Sequence, residues 1–182
     1  MLTGQRRMEI GGLRWTEVDF TARVINLPAT RTKNGRAHTV PLSEPALAIL
    51  AARRASNGRA DGDGLVFGTT GQRGYNGWSD GKLALNRKLP AMPPFVIHDL
   101  RHSVASGMAR LGINLPVIER VLNHVSGSFA GIVGVYQRHD FADEKRAALE
   151  LWAKHVAEIV AVPAGLSAAR NGKALAPAAV VA

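Results

Sequence analysis

Asn34-Gly35, set between two short runs of alternating apolar residues, most restricts what this chain can fold into. Arg23-Val24-Ile25-Asn26-Leu27-Pro28 and Ala37-His38-Thr39-Val40-Pro41-Leu42 read as strands, and Thr32-Lys33-Asn34-Gly35-Arg36 lies between them. An Asn-Gly pair between such runs is the strongest short-range hairpin signal. Leu65-Val66-Phe67 reads as a third, short strand. Most of the remaining chain carries helical signals. Residues 5–13 resemble the end of a helix, with Gly11-Gly12 weakening its exit. Ser43 caps a helix reaching about Ala55, with Pro45 in its first turn. Further helices are expected over Ser79–Leu89, from His98 to a stop at Gly112, from Pro116, and over Phe141–Val160. Residues 129–138 read as a short helix or turn, and Pro90, Pro93 and Pro94 force an extended segment before His98. The expected class is α+β, mainly α-helical, with a small antiparallel sheet of about three strands.

Charge narrows the partners. Lys and Arg number 23 against 14 Asp and Glu, a formal charge of +9. The excess is concentrated: residues 1–60 hold ten basic side chains against four acidic ones. Such a balance points to a polyanion, most often nucleic acid, with an acidic membrane surface the lesser option. The absence of cysteine removes disulfides and Cys-based zinc sites and fits a cytosolic protein. No apolar run approaches the ~20 residues that span a bilayer, so no membrane is expected. Residues 161–182 contain nine alanines and little periodicity, which reads as a disordered tail.

Several polar residues call for explanation, and each has an ordinary one. His98 and Arg101 share the first turn of a helix, where dipole, imidazole and guanidinium would converge on a phosphate; the plain reading is a cap by His98 and an ion pair of Arg101 with Asp99 or another acid. Lys33 on a turn is ordinarily just solvated. Exposed arginine pairs such as Arg6-Arg7 are common, His124 fits a helix C-terminus, and Tyr136, one of two tyrosines, fits a half-buried core position.

Order and spacing point further. Thr3-Gly4-Gln5-Arg6-Arg7-Met8-Glu9-Ile10 resembles the T-G-x-R-x-x-E-[IL] box of tyrosine recombinases, the phage integrase family. Thr32-Lys33-Asn34-Gly35-Arg36 with Val40-Pro41-Leu42 resembles their hairpin lysine and following strand. His98-Asp99-Leu100-Arg101-His102 resembles the H-x-L-R-[HR] box, and Leu122-Asn123-His124 the L-[GN]-H box. The boxes stand in family order, Tyr136 falls where the nucleophile follows, and the resemblance runs from residue 3 to about 155, within a catalytic domain expected over residues 1–160. The resemblance implies Arg6 and Arg101 as the two catalytic arginines, Lys33 as the hairpin lysine, and His98 and His124 as the active-site histidines. It implies Tyr136 as nucleophile and Glu9 as the acid that buttresses Arg6. It further implies site-specific recombination of double-stranded DNA through a 3′-phosphotyrosyl bond, no cofactor or metal, and a homotetramer on two duplexes.

The pattern departs from the family in two places. Tyr136 follows His124 by twelve residues, across a loop-like Val125–Gly131 segment. The first box opens at residue 3, without the helices and the DNA-clamping domain that precede it in relatives. A fragment is therefore expected, with weakened DNA binding. The competing readings are a helix-turn-helix regulator over Val104–His124, a relaxing enzyme like type IB topoisomerases, and an inactive remnant of a mobile element.

Overall fold

A computed structural model describes residues 1–56, 62–68, 74–89, 92–124 and 140–161. Tyr136, the 129–138 segment and residues 162–182 of the expected tail lie outside them. The described elements are helices α1 (Arg7–Gly11), α2 (Glu44–Ser56), α3 (Trp78–Lys88), α4 (Asp99–Arg110), α5 (Leu115–Val121) and α6 (Ala142–Ala161), with strands β1 (Val18–Asp19), β2 (Val24–Leu27) and β3 (His38–Pro41). The strands form one antiparallel sheet in the order β1-β2-β3. The architecture is mainly helical α+β, as the sequence implies.

The β2–β3 register pairs Ile25 with Val40 and Leu27 with His38. All four side chains are buried, while the intervening Asn26–Thr39 pair faces outward and is joined by a 2.9 Å side-chain hydrogen bond. Period-two alternation thus puts one face of the hairpin into the core. Against it pack Leu13, Leu42 and Leu50, then Val104 and Met108 of α4, Val117, Ile118 and Val121 of α5, and Leu149 and Trp152 of α6. Each fully buried aliphatic side chain contributes roughly 1.5–3 kcal/mol. α6 lies against α5, α4, α2 and β3, so it ties the helices to the sheet. Its approach to α4 is close: a Cβ on Gly107 would lie 2.2 Å from Trp152 Cζ3.

Four local expectations need correction. The third strand is Val18–Asp19, a pair too short to show any alternation. Leu65 makes only an isolated bridge to Arg14, and Val66 NH donates to Leu13 O at 2.8 Å. With Val66 fully buried and Phe67 packed against the core, the segment plugs the core and adds no strand to the sheet. Asn34-Gly35 does not close a two-residue turn; residues 28–37 connect the strands through a short 3₁₀ turn at Ala29–Arg31. Gly35 instead closes a local turn, its NH donating to Thr32 O at 3.2 Å with φ +67°. Residues before Arg7 are not helical. Ser43 precedes α2, but its buried Oγ has no hydrogen-bond partner, so its backbone carbonyl, accepting from Leu47 NH at 2.9 Å, is what starts the helix.

Candidate functional site

The site is built on the C-terminal end of α5. Pro116 starts this helix, and Asn123 ends it in the left-handed region at φ +48°. His124 NH donates to Glu119 O (2.9 Å) and Asn123 NH to Arg120 O (3.3 Å), the paired bonds of a Schellman cap. Only Gly or Asn enters that conformation readily, which accounts for the residue before His124. The cap leaves three successive carbonyls for outside partners. Val121 O accepts from Gln5 Nε2 (2.8 Å) and His38 Nε2 (3.1 Å). Leu122 O accepts from Arg101 Nη2. Asn123 O accepts from Arg6 Nη2 (3.4 Å) and Asn34 Nδ2 (3.1 Å). The negative end of the helix dipole thereby gathers cationic and amide donors from four other segments of the chain.

Seating the two guanidiniums on consecutive carbonyls brings them side by side. Arg101 also donates through Nη1 to Gly4 O at 2.7 Å, and it is 9% exposed. Gly4 has φ +64°, and a Cβ there would lie 2.8 Å from Leu122 Cδ2, so the Thr3-Gly4 turn needs its glycine. Burial, and next the charge of Arg6, lower the Arg101 pKa from its ordinary value to about 10, with Glu9 opposing the shift. Arg101 stays cationic at neutral pH. Glu9, 3% exposed, accepts from Arg6 Nη1 (3.1 Å) and Arg6 NH (3.0 Å), and so holds both the side chain and the start of α1. One carboxylate against two guanidiniums leaves excess positive charge, which an anion would relieve.

Arg6, Glu9, Lys33, His98 and Arg101 line one cleft of about 760 Å³. Lys33 and His98 are exposed in it. His98 starts α4 through its carbonyl, accepting from Arg101 NH at 3.0 Å, and its ring makes no cap. The ring instead meets His102 edge-on at 4.9 Å. Asp99 accepts from Val96 NH at 2.8 Å and leaves Arg101 to the carbonyls, so the plain cap-and-ion-pair reading fails at both residues. His124 does not line this cleft; it follows Asn123 directly, with a largely exposed ring whose Nδ1 lies 4.0 Å from Glu119 Oε1. Tyr136 lies outside the described residues.

Three contributors were given no site role by the sequence. Arg31, itself lining the cleft, donates to Glu9 O (2.6 Å) and Gly12 O and pairs with Glu17 (3.0 Å), so it clamps the end of α1. Gln5 and Asn34 act through backbone carbonyls of α5, contacts set by tertiary approach. Among the described residues, no group of three or more His, Asp or Glu is placed to hold a metal ion. No described helix is long and apolar enough to cross a membrane.

A small three-stranded sheet beneath helices, with two arginines on the cap of a short helix, defines the class: a tyrosine recombinase catalytic domain. Solved structures carry this fold. The XerA recombinase superposes with a TM-score of 0.54 over 84% of this chain and 54% of its own, at 22% identity. The Tn1549 transposon integrase, in complex with circular intermediate DNA, gives 0.51 over 81% and 54%, at 20% identity. The phage integrase family pattern matches residues 1–142. Prophage integrase IntA of Escherichia coli (strain K12) is 31% identical over 153 residues, covering 84% of this chain and 36% of that protein. The integrase of Shigella phage Sf6 is 24% identical over 172 residues, 87% of this chain and 40% of its own length. The chain belongs to the phage integrase family and spans well under half the length of these relatives.

Proposed function

We propose that this chain supplies the catalytic centre of a site-specific recombinase that cuts and rejoins double-stranded DNA through a phosphotyrosine. One observation carries the reading: Arg6 and Arg101 are seated on consecutive carbonyls in a cleft shared with Lys33 and His98. A scissile phosphodiester is anionic, and its pentavalent transition state places more charge on the non-bridging oxygens. Two planar, permanently charged guanidiniums, fixed before the substrate arrives, suit those oxygens. Tyr136 is the assigned nucleophile. Its oxygen bonds to phosphorus, its proton passing to a base for which His98 and His124 are the candidates. The bond from phosphorus to the 5′ oxygen breaks, and that oxygen takes a proton from the Lys33 ammonium. A 3′-phosphotyrosyl bond and a free 5′-hydroxyl result. Attack by the 5′-hydroxyl of another strand reverses the step on a new partner. The bond energy is kept in the phosphotyrosyl link, so rejoining needs no external energy source. Exchange between two duplexes needs four cuts, hence four copies, which supports a tetramer on cytoplasmic, nucleoid DNA.

The test is covalent capture. The chain is incubated with a pool of labelled, nicked duplexes of randomised sequence, in which the nick lets the strand beyond the cut diffuse away. A protein–DNA adduct is expected with the wild-type chain and none with Tyr136→Phe, which still binds DNA because only a hydroxyl is lost. Adduct from Tyr136→Phe would show that another residue attacks. DNA binding without adduct by the wild-type chain would favour a non-catalytic binding module.

A further inference from the structure

Lys33 sits in a long connection that its own sheet does not hold. β2–β3 pairing stops at Leu27 and His38, and residues 28–37 bulge away between them. Most bonds inside the bulge are local: Thr32 Oγ1 to Arg36 O at 2.8 Å, Arg36 NH to Asn34 Oδ1 at 3.2 Å, and the Gly35–Thr32 turn. Two side chains tie it to the rest of the molecule. Arg31, before Lys33, clamps α1. Asn34, directly after Lys33, reaches the cap of α5. There it forms a reciprocal amide pair with Asn123: Asn34 Nδ2 donates to Asn123 Oδ1 at 2.9 Å, and Asn123 Nδ2 returns a bond to Asn34 Oδ1 at 3.2 Å. Asn34 Nδ2 also donates to Asn123 O at 3.1 Å, the carbonyl that seats Arg6. The residue holding the lysine loop is therefore the residue that closes α5, seats Arg6 on its carbonyl and directly precedes His124.

We infer that Asn34 and Asn123 form a clasp that positions Lys33: the paired amides hold the loop against the α5 cap and so set where the ammonium meets the departing 5′ oxygen. Neither amide touches the reacting atoms. The inference rests on Lys33 being the proton donor proposed above. Two planar amides joined by two hydrogen bonds, with a third from Asn34 to the Asn123 backbone carbonyl, fix distance and orientation together, which one flexible lysine stem cannot do for itself.

The test uses Asn34→Ala and Asn123→Gly. Glycine keeps the left-handed cap and removes only the amide, so α5 still closes. Single-turnover cleavage is measured on the nicked duplex pool with an ordinary 5′ bridging oxygen, and again with sulfur at that position. A thiolate departs without a proton, so sulfur bypasses the donor. Each variant is expected to cut the oxygen substrate about 10-fold to 100-fold more slowly, part of the ~10²–10⁴ that a general acid supplies. Both should return close to wild-type on sulfur, and the double variant should be no slower than either single one. Hydrogen exchange of the amides of residues 32–36, measured on the unliganded chain, should quicken in both variants whether or not the chain cleaves. Unchanged exchange, wild-type rates on oxygen, or equal slowing on oxygen and sulfur each overturns the clasp. Lys33→Ala is the separate control: if sulfur does not rescue it, the assignment of Lys33 as donor falls, whatever the two amide variants do.

Discussion

Arg101 shows how a single residue serves both structure and site. Its guanidinium satisfies Gly4 O and Leu122 O, and removing it leaves two backbone acceptors unpaired inside the protein. Arg101→Lys keeps the charge but not the planar fork that reaches both carbonyls. Adduct formation should fall about 10²-fold to 10³-fold, the usual loss of a preorganised transition-state donor, and single-turnover capture reads it; wild-type rates would remove Arg101 from the site. His38 carries a second prediction at this scale. It is buried and donates to Val121 O at 3.1 Å, and burial first, then nearby Lys145, lower its pKa from 6.5 to about 4. Between those values the unfolded chain binds a proton that the folded chain refuses. Stability should therefore fall as pH drops from about 6.5 toward 4, by up to ~3 kcal/mol from this residue. Urea denaturation at several pH values measures it, and His38→Gln should flatten that part of the profile.

At the scale of elements, the helices meet through glycines the motifs do not explain. Gly107 lets α4 approach the indole of Trp152 on α6, where any side chain would collide. Gly107→Ala should cost ~1–3 kcal/mol or more, since a packed core accepts an added methyl only by moving; thermal unfolding followed by circular dichroism reads the loss. An unchanged midpoint would mean that α6 slides freely against α4. The element boundaries were largely legible: Gly112 and Pro116 mark the α4–α5 turn, and Gly11-Gly12 the end of α1. Two strand assignments were not. Val18–Asp19 is too short to display a period, and Leu65-Val66-Phe67 looks like a strand because a core plug needs the same apolar residues.

Across the whole molecule, the basic excess should appear as salt dependence. Affinity for a DNA duplex should fall linearly on a log–log plot against salt, with a slope of about −0.9 per phosphate neutralised. Lys33→Ala, which removes one exposed cation from the cleft, should shallow that slope by about one unit of contact. Fluorescence anisotropy on a labelled duplex across salt concentrations reads it, and identical slopes would take Lys33 off the DNA-facing surface. The global arrangement also explains why the residues 3–9, 32–36, 98–102 and 122–124 belong together. Four segments far apart in the chain meet at the last turn of α5.

The order of those segments in the chain already determined the family, the class of fold and most of the residues in the cleft, because the family's boxes mark particular side chains in a fixed order. Periodicity determined the helices, because burial of one face repeats at a helical or strand spacing. The Glu9 support of Arg6 was legible, but neither could reveal the seats that set the two arginines side by side. Those are two backbone carbonyls at one helix end, Leu122 O and Asn123 O, and carbonyls are identical in every residue, so no letter of the sequence marks them. Asn34, Gln5 and Arg31 likewise gain their roles only when the fold brings them to a backbone oxygen.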